Sequence, residues 1–143
     1  QLVGVAPSGK IMVAGFTDDG SMVLRLDATT GALDSSFDTD GRMTFNTGAY
    51  DSLHAMAIDS GNQVTFGLSH DDSSHYHWAL ARVTGTGVLD PTFNGTGWRH
   101  YPQTVGDSRI YDIAFDSLGY IIVVGADTHD SWASQSAIGV FWP

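Results

Sequence analysis

The side chains best able to do chemistry in this chain are histidines and aspartates gathered in a few short segments. Ser69-His70-Asp71-Asp72-Ser73-Ser74-His75-Tyr76-His77 and Asp127-Thr128-His129-Asp130-Ser131-Trp132 hold four of the six histidines. Imidazole and carboxylate are the ligands of Zn²⁺ and Ca²⁺ respectively, so His70, Asp71, His75, His77, His129 and Asp130 form the candidate metal-binding set. Their spacing matches no established ligand pattern, and hairpin tips carry such residues for their turn chemistry alone. A second chemistry is Ser-His-Asp catalysis, composed from Asp51, Ser52 and His54 or begun by Asp107 and Ser108. On a strand Ser52 and His54 share one side and Asp51 takes the other, and no Gly-x-Ser-x-Gly elbow sharpens a serine. The simpler reading of Asp51-Ser52 and Asp107-Ser108 is a repeated cap where a strand begins. A third chemistry is sugar binding. Tyr50, Tyr76 and Trp132 offer flat aromatic faces, and Asp51, Ser52, Asp107 and Ser108 offer partners for hydroxyls. Trp78 reads as packing inside its sheet.

Composition sets the elements that must hold these residues. All 16 acidic residues are Asp, Lys10 is the single lysine, and Gly occurs 17 times. Glu and Lys coat exposed helices, whereas Asp and Gly belong to turns, so the chain is expected to be all-β with almost no helix. The formal charge of −10 excludes nucleic acid and anionic membrane surfaces as partners, since both need clustered Lys and Arg. No apolar run is long enough for a spanning helix. There is no cysteine, hence no disulfide frame and no thiol chemistry.

Period-two alternation bounded by Gly, Asp and Asn marks the strands. They are expected at Leu2–Ala6, Lys10–Phe16, Ser21–Asp27 and Arg42–Asn46. The order repeats at Leu53–Ile58, Gln63–Leu68, His77–Val83 and Trp98–Tyr101, then at Ile110–Phe115, Tyr120–Ala126 and Ala137–Phe141. Lys10-Ile11-Met12-Val13-Ala14-Gly15 recurs as Gln63-Val64-Thr65-Phe66-Gly67 and as Tyr120-Ile121-Ile122-Val123-Val124-Gly125, which sets Gly15, Gly67 and Gly125 at one repeat position. Leu33-Asp34-Ser35-Ser36-Phe37 recurs as Leu89-Asp90-Pro91-Thr92-Phe93, and Gly41 and Gly97 close the two units, 56 residues apart. Strands such as Ile121-Ile122-Val123-Val124 are apolar on both faces and must be covered on both. Four-strand antiparallel meanders repeating at about 50 residues describe β-propeller blades, here over 1–48, 49–105 and 106–143, the third lacking its last strand. The rival is a two-sheet sandwich, which does not demand the regular spacing of Phe37 and Phe93.

These motifs resemble the delta-60 repeat, a propeller-forming repeat of bacterial, often large and surface-associated, proteins. The first two units match its strand ending in Gly, its Arg-bearing strand (Arg25, Arg82), its Leu-Asp-x-x-Phe and its closing Gly. The third matches from Ser117 to Gly125. The resemblance implies structural roles and no enzyme activity. Phe37 and Phe93 are expected to plug the gaps between blades, Gly41 and Gly97 to take positive φ, and Arg25 and Arg82 to pair with an Asp of an adjacent unit.

Three blades span part of a circle and leave two terminal faces bare, each roughly 400 Å². Two such faces exceed the apolar patch that a monomer tolerates. Either several copies close a ring or the chain is a segment of a longer one. Its start at Gln1 fits a removed leader or an excision. A homodimer completing a six-bladed ring is the expected partner arrangement. Val140-Phe141-Trp142-Pro143 is expected to lie against a neighbouring blade. The functional expectation is a secreted or bacterial cell-surface binding and scaffolding module, with its site on the tip face around the central channel and glycan as a ligand. The alternative is a metal-dependent, lactonase-like hydrolase holding Ca or Zn in the channel.

Overall fold

Among the described residues, short apolar alternations separated by Gly- and Asp-rich turns fold into eleven antiparallel strands. The computed structural model describes residues 1–48, 50–102, 106–130 and 133–142, and the side chains at 50, 129, 130, 133 and 134 lie outside that description. The strands are β1 (Leu2–Val5), β2 (Ile11–Thr17), β3 (Gly20–Leu26), β4 (Arg42–Phe45), β5 (Tyr50–Ile58), β6 (Val64–Asp71), β7 (Tyr76–Val83), β8 (Trp98–Tyr101), β9 (Ser108–Phe115), β10 (Ile121–Asp130) and β11 (Ala133–Phe141). They form three meanders, β1-β2-β3-β4, β5-β6-β7-β8 and β9-β10-β11. The described residues contain no helix.

The sheets stack as blades of a β-propeller. One core joins Met12, Ala14, Val23, Met43 and Phe45 of the first blade to Val64, Phe66, Leu68 and Ala81 of the second. Another joins Ala55, Trp78 and Leu80 of the second to Ile110, Ile113, Ile121 and Val123 of the third. Among the described residues only the middle blade is therefore covered on both faces, and β6 is buried along almost its whole length.

Turn geometry corrects the repeat register. The bonds Ala6 N–H to Lys10 O, Asp59 N–H to Gln63 O and Asp116 N–H to Tyr120 O make Lys10, Gln63 and Tyr120 equivalent. Counting on from these, Gly67 corresponds to Ala14 and Val124, whereas Gly15 corresponds to Leu68 and Gly125. The glycines at Gly15 and Gly67 hence face opposite ways. A Cβ on Gly67 would lie 2.6 Å from Ile110 of the third blade, while one on Gly15 meets only the Gln1 side chain. With this register each blade stacks its Ala14-type face on the Ile11-type face of the next.

The shared motif is a clasp closed within each unit. Arg25 Nε donates to Asp34 Oδ2 at 3.0 Å and Arg82 Nε to Asp90 Oδ2 at 2.8 Å. The Arg–Asp pairs are thus internal, against the expectation of pairing between units. What crosses to the next blade is Arg25 Nη1, which donates to the Gly85 carbonyl, and Asp38 N–H, which donates to Thr86 O. Each guanidinium also covers a ring, Arg25 over Phe37 at 4.9 Å and Arg82 over Phe93 at 5.0 Å. Both rings are buried, each within one of the two cores that join the blades. Gly41 (φ 84°) and Gly97 (φ 87°) turn the chain toward the outer strand, and a Cβ on either would meet Leu33 or Leu89 at 2.8 or 2.7 Å.

Two hairpins run further than the sequence alternation suggests, so β6-β7 and β10-β11 absorb residues read above as tips. At the C-terminal end Phe141 meets Tyr101 of the second blade at 4.5 Å between ring centroids. Trp142 departs from expectation. It stays 76% exposed, edge-on to Tyr120 of its own blade.

Candidate functional site

Because β5 and β6 extend to the end of their ladder, Asp51 and His70 become direct cross-strand partners. Side chains on such a pair are close enough to bond. His70 Nδ1 lies 2.9 Å from Asp51 Oδ1, and both side chains are more than nine-tenths buried. Thr47, in the connection from β4, donates its hydroxyl to Asp51 Oδ2 and stands 3.3 Å from His70 Nδ1. This three-residue network lines an open cleft of about 1050 Å³ between the tips of the first and second blades. Phe16, Asp18, Asp71, Asp72 and Trp98 line the same cleft.

Behind it runs a row of rings on the face of the second blade that meets the first. The His70 ring stacks on His100 at 4.8 Å and packs beside Trp98 at 5.6 Å. His77 follows at 6.4 Å from His100, and its Nε2 lies 2.9 Å from Asp72 Oδ2. Partial burial, then the nearby His70 and His77, hold His100 below the usual imidazole range. The Asp72 carboxyl is held well below the ordinary carboxylate range, first by the His75 amide and then by the His77 side chain.

A buried His–Asp pair is the base-and-orienter half of a hydrolytic triad. Here, however, the adjacent hydroxyl donates to the carboxylate, so it is not poised as a nucleophile activated by the imidazole. The cleft offers carboxylate acceptors, a half-buried indole and an exposed phenyl ring around an open groove.

Of the residues singled out from sequence, Asp51, Ser52, His70 and Asp71 line this cleft. The composed triad does not form, because Asp51 pairs with His70 instead of His54. His54 is half-buried with its Nε2 inaccessible and unpartnered, and partial burial, then the Arg109 charge, lower its pKa. Asp107 and Ser108 act as caps joining blades. Asp107 accepts from the Tyr76 amide at 3.0 Å, and Ser108 Oγ accepts from the Trp78 amide at 2.9 Å. Tyr76 sits half-buried under the Arg109 guanidinium. His77 is buried in β7 and His75 is exposed on the hairpin tip, with the two ring centroids 6.3 Å apart. Trp132 lies outside the described residues, as do the side chains of Tyr50, His129 and Asp130. Among the described residues no three His, Asp or Glu side chains gather as metal ligands do. Sequence reasoning missed Thr47, Trp98 and His100. Only the pairing of β8 with β7, Ala79 opposite His100 and Ala81 opposite Trp98, carries those two rings to the cleft wall.

The family described as "domain of unknown function (DUF5122) beta-propeller" matches residues 6–37, the first turn, the β2-β3 hairpin and the Leu-Asp-x-x-Phe clasp. The blades belong to a β-propeller. No curated protein matches the chain. Among solved structures, a protein of unknown function from Bacteroides caccae is similar at 10% identity with a TM-score of 0.49, over 94% of this chain. The chain spans 44% of the length of that protein.

Proposed function

We propose that this chain is a delta-60-type propeller module of a secreted or bacterial cell-surface protein that binds carbohydrate in the cleft between its first two blades. The observation carrying this reading is the cleft itself, with the buried Asp51–His70 pair beside the Trp98 indole. A sugar ring presents an apolar C–H face that suits an indole, and hydroxyls that suit fixed carboxylates. Asp18, Asp71 and Asp72 supply such acceptors around the opening. An open, shallow groove suits chain-like or terminal glycans better than a small molecule that must be enclosed.

The test is calorimetric or NMR titration with a panel of neutral oligosaccharides. Binding is expected for at least one, with Trp98→Ala weakening it about tenfold, the loss of one aromatic contact of roughly 1.4 kcal/mol. No binding across the panel, or binding indifferent to Trp98→Ala and Asp71→Asn, rules the reading out.

A further inference from the structure

The stacking rule of this molecule leaves two faces without a neighbour. On the first blade Val3 and Val5 are exposed, and the half-buried Ile11, Val13, Met22 and Leu24 share their side of the sheet. On the third blade Val124, Ile138 and Val140 are exposed, with half-buried Ile122 among them. Ile138 is 74% exposed and Val3 73%. Such aliphatic side chains belong in cores, and two contiguous patches of them mark interaction surfaces.

These two faces are the two halves of one joint. In the corrected register, Ile11 and Val13 are the counterparts of Val64 and Phe66, which pack on the blade before, and of Ile121 and Val123, which do the same. Val124 is the counterpart of Gly67, whose missing Cβ looks onto Ile110 and Ile113 of the blade after. The face left bare on the third blade is therefore of the kind that twice receives the face left bare on the first. It cannot reach that face within the same three-bladed arc.

We infer that a second copy of this chain covers both. The third blade of each copy stacks on the first blade of the other, and the pair closes a six-bladed ring about a twofold axis. Two junctions with roughly 400 Å² on each face bury about 1600 Å² together, the size of a stable protein–protein interface. The register also names a contact. Gly67 meets Ile113, and Ile113 pairs with Val123 as Val3 pairs with Val13. Val124 of one copy is thereby set against Val3 of the other.

The 143-residue chain is expected to run in light scattering and native mass spectrometry at twice its 15.3 kDa. Val124→Asp, an exposed position, is expected to give a folded monomer with an unchanged β-type circular dichroism spectrum. Because the protein has no cysteine, disulfide trapping is clean. Val3→Cys with Val124→Cys in one chain is expected to give a covalent dimer under mild oxidant, and neither single variant should. A monomer at tens of micromolar, a larger or open-ended assembly, or efficient trapping by Val3→Cys alone overturns the inference.

Discussion

At the scale of single residues, the clasp is where stability concentrates. Phe37 is fully buried between two blades under Arg25. Phe37→Ala is expected to cost about 3–5 kcal/mol, read from denaturant unfolding. Gly41→Ala adds a side chain at positive φ and drives it into Leu33, so a loss of about 1–3 kcal/mol is expected. Gly31→Ala, also at positive φ but facing open space, should cost less. Asp34 gives the clasp its acid sensitivity. The Ser36 hydroxyl first, then the Ser36 amide, Lys10 and Arg25, lower its pKa to about 2. A carboxyl depressed in the folded state contributes stability that is complete above its unfolded pKa near ~3.9 and drains away as pH falls toward its folded value. Thermal melts between about pH 4 and pH 2 should therefore show a steeper decline for the native chain than for Asp34→Asn.

At the scale of elements, β6 and β9 approach closely across the junction of the second and third blades. Gly67→Ala places a methyl group 2.6 Å from the Ile110 side chain, and the third blade must shift to admit it. Overpacking of this kind costs about 1–3 kcal/mol, and hydrogen exchange should quicken in β9 and β10 before β2 and β3. The same strand shows how much the sequence disclosed. Strand order, blade count, the positive φ of Gly41 and Gly97 and the burial of Phe37 and Phe93 were all legible, because each follows from a local signal. The register was not, since a run ending in Gly looks the same whether the glycine faces the preceding blade or the following one. Counting from the turn bonds moves Gly67 by one place and reverses its face. The cleft was half legible for the same reason. Asp51 and His70 stood out by type, but Trp98 and His100 reach them only through the β7-β8 ladder, 28 and 30 residues along the chain from His70.

At the scale of the whole molecule, charge and apolar surface act against each other. With a formal charge of −10, most of its aspartates lying outside the strands, the folded chain repels itself at low ionic strength. Raising NaCl from about 0.01 to 0.15 M shortens the screening length from roughly 30 to 8 Å, so melting temperature should rise with salt. If blade stacking dominates assembly, the salt effect on the monomer–dimer equilibrium points the same way, since two acidic copies approach more easily when screened.

The clasp has one further bearing. Each Arg–Asp pair is closed within its own unit. The first set reaches the second unit through the backbone carbonyls of Gly85 and Thr86, and each Phe ring adds only to the apolar core between blades. A blade therefore asks little of its successor's side chains beyond a greasy face. Tandem duplication of a stretch of this gene would yield a working piece at once, with no compensating substitutions, and rings of different size become reachable by copying alone.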